Sequence, residues 1–254
     1  MLLKGKKALI FGVANKKSIA YGIAKQFKEH GAEVAFSFVN DAIKKRVEPI
    51  NEELGGAFTF QCDVQSDESI AASVEEVKKH WGEFDILIHS VAFANRDDLK
   101  NRYIETSREG FHLAMDVSAY SLVALSKAYE DMIKPGGSVM AMTYLGASRV
   151  ITNYNVMGVA KATLEASVRY LAVDLGEKGV RINAISAGPI KTLAASGISS
   201  FKDIFRHIEE RAPLKRNVTT EDVGKTAVYY ASELSAGVTG ETHFVDCGYN
   251  ILGI

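Results

Sequence analysis

Seven short apolar runs punctuate this chain, and between most of them apolar residues recur three and four apart. The runs are Lys7–Phe11, Glu33–Phe38, Phe58–Cys62, Phe84–Ser90, Ser138–Thr143, Val180–Ile185 and Glu241–Asp246. Apolar runs of this length, bounded by turn residues, are what strands buried on both faces of a parallel sheet look like. The intervening stretches predict helices. One opens between Val13 and Gly22 and runs to about His30-Gly31, a second carries Lys44, Lys45 and Arg46, and a third is capped by Ser66 and ends near Trp81. A long helix is predicted from about Thr106 to Ile133. Another starts at Asn155, with Val156, Val159, Ala160, Leu164, Val168, Leu171 and Leu175 on its apolar face and Gly176 and Gly179 as stop signals. Phe201–Arg211 and the stretch from Thr220 complete the set. Strands alternating with helices throughout predict an α/β fold, a single doubly wound parallel sheet of seven strands flanked by helices over residues 1–254.

Composition narrows the class without naming a function. Hydrophobic residues make up 47% and charged residues 24% of 254, as in an ordinary globular protein with a large core. A net charge of −1 gives no global attraction to nucleic acid or to an anionic membrane, and neither is expected as a partner. No apolar run reaches membrane-spanning length, and the N-terminus enters a strand without a signal-peptide pattern, so a cytosolic or stromal location is expected. Cys62 and Cys247 fall in strand-like runs without metal-ligand spacing, which reads as two buried thiols, and no metal site is expected.

Candidate chemistry gathers where strands end. Gly12 follows the first strand at once and a helix start follows it, the arrangement of a Rossmann-type site whose free N–H groups face a pyrophosphate. The middle glycine of the usual triplet is missing between Gly12 and Gly22, and Ser18 is placed to offer a hydroxyl and its N–H instead. After the second strand, Val39-Asn40-Asp41 carries no Arg or Lys at 39–40 to receive a 2′-phosphate, which favours NADH. Lys44–Arg46 suits a solvated helix face. Asp63 is placed to accept from an adenine amino group, with the Val64 N–H beside it, and Val91–Ala94 offers small residues for backbone to pass under a ribose. His112, Asp116 and Tyr120 lie four apart and read as packing and interface residues, because only one is a histidine. Gly188-Pro189 forces a turn, and the Thr192 hydroxyl lies within reach of a cofactor. The small Leu193–Ser200 stretch and the amphipathic 201–211 helix suit a mobile lid, or alternatively a plain surface helix.

Tyr154 and Lys161 stand seven residues apart at the start of one helix. Seven steps return a side chain to within ~20° of the same face, ~10 Å further along the axis. A phenol and an ammonium just beyond the end of a strand are placed where open α/β sheets bind ligands. Lys161 is then expected to lower the phenol's pKa. A surface tyrosine and a solvated lysine would give the same pair.

The residues together resemble the short-chain dehydrogenase/reductase superfamily, and within it the bacterial and plastid enoyl-acyl carrier protein reductases. The resemblance spans essentially the whole chain. It rests on Gly12 with Ser18-Ile-Ala-Tyr-Gly22, on Tyr144, Tyr154 and Lys161 at their spacing, and on the run Asn183–Gly197. Ketone-reducing members carry tyrosine four residues before the lysine, where this chain has Gly158, and Asp116 stands in for the superfamily's helix asparagine. The resemblance implies NADH-dependent reduction of trans-2-enoyl groups on acyl carrier protein in fatty-acid elongation. It implies that Tyr154 stabilises the enolate, that Lys161 grips the nicotinamide ribose, and that Tyr144 lines the acyl pocket. Gly12, Ser18, Ile19, Asp63, Val64, Ser90, Ala92, Ile190 and Thr192 carry over as cofactor contacts. Phe93, Ala94, Pro189, Ala194, Phe201 and Ile204 carry over as substrate contacts, within a substrate-binding loop and lid at 190–211. Many members have glycine where this chain has Ala92. Lys202 and Arg206 are the expected docking cations for the acidic carrier. A homotetramer in the cytoplasm is implied, with helices 106–133 and 155–177 as interface surfaces. The competing readings are a ketoacyl reductase or another short-chain alcohol dehydrogenase, and a non-catalytic NAD-binding domain.

Overall fold

The strands pair in the order β3-β2-β1-β4-β5-β6-β7, every pair parallel. They are β1 (Lys7–Phe11), β2 (Glu33–Phe38), β3 (Thr59–Gln61), β4 (Phe84–His89), β5 (Ile133–Thr143), β6 (Arg181–Ala187) and β7 (Thr242–Val245). The computed structural model describes residues 1–192 and 201–253, and of 201–204 the backbone alone. The helices are α1 (Ile19–Glu29), α2 (Asp41–Leu54), α3 (Asp67–His80), α4 (Arg96–Lys100), α5 (Arg108–Met115), α6 (Ser121–Tyr129), α7 (Asn155–Gly176), α8 (Phe201–Arg211) and α9 (Thr220–Ala231). The result is a single Rossmann-like domain. Its strand order reverses between β1 and β4, and a crevice opens beyond the carboxyl ends of strands at such a switch point.

Alternation along the strands builds a core on each side. Ala8, Ile10, Val34 and Phe36 meet Ile23 and Phe27 of α1 and Val223 and Ala227 of α9. Leu9, Phe11 and Leu87 meet Val77 of α3, Leu122 of α6 and Leu164 and Val168 of α7 on the other face. Consecutive residues of a strand point to opposite faces, so a strand covered on both sides has to be apolar throughout. Each of the valine, leucine, isoleucine and phenylalanine side chains among them contributes ~1.5–3 kcal/mol through burial.

Two sequence expectations need correction. The helix predicted over 106–133 is broken. α5 gives way to one wide turn at Asp116–Tyr120, where hydrogen bonds span five residues, before α6 resumes and stops at Tyr129. His112 and Tyr120 are exposed, and Asp116 accepts from the Gln65 amide at 3.4 Å. Ile133 belongs to β5, paired with Phe84. Pro135-Gly136-Gly137 then loops out of the ladder before Ile86 pairs Ser138. Cys247 is not in a strand either. It follows β7 in a turn with φ 59°, although both thiols are free and buried as expected.

Candidate active site

Beyond the ends of β1 and β4 lies a cleft of about 890 Å³. At one end Gly12 turns with φ 98°, and a Cβ there would run into the Ser90 carbonyl. Only glycine lets the two strand exits approach so closely. Ser18 lines the cleft, and its N–H and its hydroxyl both donate to the Asn15 carbonyl, at 3.1 and 2.5 Å, which closes the loop. The Ile19 and Ala20 amides, in the first turn of α1, are the donors left uncommitted among the described residues. Asp63 accepts from the Gln65 N–H at 3.0 Å with one carboxylate oxygen, and its other oxygen has no partner among the described residues. Val64 lines the cleft beside it. Asn40 caps α2 by accepting from the Ile43 N–H at 3.1 Å. Lys44 lies 5.5 Å over the Phe38 ring and 3.7 Å from Glu48, while Lys45 and Arg46 are exposed.

At the other end β5 runs out through Met142, Thr143 and Tyr144, and α7 passes across these residues. Buried Lys161 donates from Nζ to the Met142 carbonyl at 2.8 Å. The next residue, Thr143, donates its hydroxyl to Glu165, one turn beyond Lys161, at 2.7 Å. Burial pulls the Lys161 ammonium down to about 8, and Glu165 opposes the shift. Below β5's neighbour, fully buried His89 contacts Ser121 through Nε2 at 2.7 Å. Burial, assisted by the Lys161 charge, holds it neutral with a pKa near about 3.

The third member, Tyr154, sits at the N-cap of α7 and is 8% exposed. Its ring stands edge-on to Tyr144 with centroids 5.0 Å apart. Neither hydroxyl has a hydrogen-bond partner among the described residues, and both rings line the cleft. Burial raises both phenols, Tyr144 to about 12 and Tyr154 further. The expected lowering of the Tyr154 pKa by Lys161 therefore does not occur. Desolvation penalises the phenolate first, and the neighbouring acidic groups, the Tyr144 phenol and the Glu165 carboxyl, disfavour a second negative charge there.

Two local features aim the Tyr154 ring, and both were missed in the sequence. The flanking residues Asn153 and Asn155 have φ of 62° and 36°, a conformation that asparagine tolerates better than most residues. The Asn155 amide donates to the Leu99 and Asn101 carbonyls at 2.8 and 2.5 Å, which pins α4 to the start of α7. The ring itself lies over Gly146, where a Cβ would collide with it. A Cβ at Gly158 would sit 2.8 Å from the Gly146 carbonyl oxygen. A tyrosine at position 158 therefore has no room, and the phenol enters one turn earlier.

Ala92, Phe93, Ala94, Pro189, Ile190 and Thr192 all line the cleft. The wide turn in the helix explains how: the Ser118 hydroxyl accepts from the Phe93 N–H at 3.0 Å and donates to the Phe93 carbonyl at 3.2 Å, latching that strand exit. Leu99, Ile151, Met157 and Arg96 line the cleft too, without having been expected there. Ala194 and the Phe201, Ile204 and Lys202 side chains lie outside the described residues. Arg206 is exposed on α8. Lys191 places its ammonium 4.2 Å over the Phe205 ring. No cluster of metal-ligating side chains occurs among the described residues, and no described helix is long and apolar enough to cross a membrane.

A parallel sheet with a dinucleotide-type cleft at its switch point, and a tyrosine and lysine on one helix at its edge, defines an oxidoreductase of the short-chain dehydrogenase type. Comparison with known proteins narrows this. The family model described as enoyl-(acyl carrier protein) reductase matches residues 12–250. The enoyl-[acyl-carrier-protein] reductase [NADH] FabI of Rickettsia prowazekii is 54% identical over 99% of this chain and 97% of its own length. That of Bacillus cereus is 50% identical over 99% of each. The crystal structure of the Bacillus cereus reductase with NADP+ and an indole naphthyridinone superposes with a TM-score of 0.98 at 49% identity, over 100% of this chain and 99% of that one. The Anaplasma phagocytophilum reductase in complex with NAD gives 0.96 at 48% identity, over 100% and 97%. The chain belongs to the enoyl-(acyl carrier protein) reductase family.

Proposed function

We propose that this protein reduces the carbon–carbon double bond of trans-2-enoyl thioesters carried on an acyl carrier protein, with NADH as the electron donor, in fatty-acid elongation. The observation that carries the reading is a neutral, desolvated phenol, Tyr154, opening on the cleft beside a buried lysine that is itself fixed to the end of β5. The residues present fit a dinucleotide. The Gly12 turn and the uncommitted amides of α1 suit a pyrophosphate, and the open Asp63 oxygen suits an adenine amino group. Lys161 spends one of its three donors on Met142 and keeps two for ribose hydroxyls. A bound dihydronicotinamide supplies a hydride.

In conjugate reduction the hydride adds to the β carbon, the double-bond pair moves towards the thioester, and negative charge collects on the carbonyl oxygen. Tyr154 donates a hydrogen bond to that oxygen, as an oxyanion hole does. A phenol whose pKa is raised keeps its proton and remains a donor. A proton from solvent would then reach the α carbon and complete the saturated thioester. Because the developing charge lies three bonds from the hydride acceptor, the phenol belongs further from the ribose-binding lysine than in ketone reduction, consistent with Tyr154 rather than position 158. Tyr144 packs against Tyr154 and walls the acyl side. Residues 190–211 form the substrate loop and lid within the single domain, and Arg206 on α8, with Lys202, attracts the acidic carrier. We further assign a cytoplasmic homotetramer. Tyr170, Val173 and Tyr120, exposed on the outer faces of α7 and the wide turn, support such an assembly.

The test is NADH oxidation with a crotonyl thioester, with NADPH and an acetoacetyl thioester run in parallel. Reduction of the ketone but not the alkene would favour the ketoacyl-reductase reading. Tyr154→Phe should retain NADH binding and lose about 100-fold in kcat, the size of one oxyanion-hole donor. Wild-type turnover in that variant would remove the phenol from the mechanism.

A further inference from the structure

Charge is scarce on the walls of the cleft. Among its described lining residues only Asp63, Lys161 and Arg96 carry any. Asp63 stands at the adenine end, and Lys161 is buried at the reactive end. That leaves Arg96 as the one exposed cation on the described wall. Its guanidinium makes no ion pair or side-chain hydrogen bond among the described residues. Of the acidic neighbours, Asp98 is buried and committed, accepting from the Ser107 N–H at 2.9 Å and the Ser107 hydroxyl at 3.4 Å. Asp97 is exposed and forms no ion pair with Arg96.

Arg96 is also held in register with the reacting phenol. It lies three residues before Leu99, ~4.5 Å along the α4 axis. Leu99 packs in one cluster with Tyr154, Val156 and Met157. The Leu99 carbonyl accepts from Asn155, the residue after Tyr154, at 2.8 Å. Arg96 and Tyr154 therefore line one cleft, with the backbone of α4 tied to the start of α7.

We propose that Arg96 is a specificity residue that binds the phosphate of the substrate's carrier arm at the mouth of the cleft. The assignment rests on the enoyl-thioester reading above. Acyl groups are carried on a pantetheine arm whose far end bears a phosphate, in carrier protein and in coenzyme A alike. The arm itself is uncharged, so the phosphate is the group a lone guanidinium would read. Arg suits it better than Lys because its fork pairs with two phosphate oxygens.

The experiment compares four crotonyl thioesters with NADH: pantetheine, 4′-phosphopantetheine, coenzyme A and acyl carrier protein. Wild type should show a lower KM for phosphopantetheine than for pantetheine, and the difference should shrink as salt is raised. Arg96→Gln should raise the KM for the phosphorylated thioester about threefold to fivefold, with the loss in KM rather than kcat, so that the two pantetheine thioesters become alike; a solvent-screened guanidinium–phosphate contact supports an effect of that order. Arg96→Lys should restore part of the preference and Arg96→Glu should reverse it. A shift for coenzyme A equal to that for carrier protein assigns the contact to the shared arm. An effect confined to carrier protein would overturn the assignment, since the cation would then be reading the protein surface. Equal KM for the two pantetheine thioesters in wild type, or an equal change in both in Arg96→Gln, would also overturn it while leaving enoyl reduction standing. Failure of wild type to reduce any of the four would instead refute the enoyl-thioester reading, and this assignment with it.

Discussion

Gly146 offers a sharp test of how the reactive phenol is seated. It lies in the single turn Leu145–Ala147 between β5 and α7, and its φ is not in the left-handed region, so alanine meets no backbone penalty there. The cost is steric. A Cβ would stand 2.7 Å from Cε1 of Tyr154 and closer still to Cδ1. Carbon atoms in comfortable contact are ~3.5–4.0 Å apart, so the ring has to retreat by ~1 Å. A misplacement of that size costs about 100-fold in rate, or ~2.7 kcal/mol in the barrier. Overpacking costs ~1–3 kcal/mol of stability in a tight core. The turn is half-buried, which puts Gly146→Ala at the lower end and the loss of Tm at ~2–4 °C. The assay is steady-state turnover of a crotonyl thioester, with NADH affinity measured by fluorescence titration and Tm by calorimetry. We expect kcat to fall about 100-fold while NADH affinity stays within about threefold, because the Gly12 end of the cleft is untouched. In a Tyr154→Phe background the same substitution should add little, as expected for two changes acting on one group. A kcat within about threefold of wild type, or an undiminished penalty in the Tyr154→Phe background, would refute the claim that Gly146 seats the catalytic phenol.

Three further outcomes follow from the structure. Gly12→Ala combines a φ of 98° with a Cβ driven into the Ser90 carbonyl. Strain of ~1–3 kcal/mol should appear as a weakened NADH Kd and a lowered Tm, and an unchanged Kd would count against the turn's role. Lys161 should make stability rise with pH in the free protein. Its folded pKa is about 8 against an ordinary 10.5. Below 8 both states hold the proton and the burial cost is fully felt. Between 8 and 10.5 the unfolded chain binds more protons, so the cost fades. The Tm difference between wild type and Lys161→Met should shift in wild type's favour across that window, and a flat difference would contradict the burial. Asp222 closes a capping box with Thr219 and pairs with Arg216 at 2.7 Å, which holds its carboxyl down at about 2. Its stabilisation is present above the ordinary carboxylate pKa and is lost as pH falls through about 2. Asp222→Asn should cost ~1 kcal/mol at neutral pH, after allowance for solvent screening, and a Tm equal to wild type there would show the box to be idle.

The chain's own pattern determined the sheet. Because parallel strands are buried on both faces, their apolar runs stand out, and β1, β2 and β4 begin where the runs begin. Ser66 and the 155-onward periodicity marked α3 and α7 for the same reason: a cap and a stripe are local properties of sequence. Tyr154 and Lys161 were legible because seven residues of helix relate them without any knowledge of the rest. What failed was information carried between elements. Apolar spacing of three and four continues smoothly through residues 116–120, so nothing local announces the wide turn that lets Ser118 latch Phe93. Ile133 looks like the tail of a helix until Phe84 pairs with it.

The pKa of Tyr154 shows the same division most clearly. Sequence gave it a lysine neighbour and hence a lowered value. Tertiary packing buried both groups, turned the lysine to the Met142 carbonyl and placed Tyr144 and Glu165 around the phenol, so the shift has the opposite sign. Gly146 and Asn155 likewise acquire their roles from what stands across from them. Residue type and spacing specify which groups a helix or strand presents, because those depend on its own repeat; solvation and contact depend on the partner surface, which is defined only when the chain has closed around it.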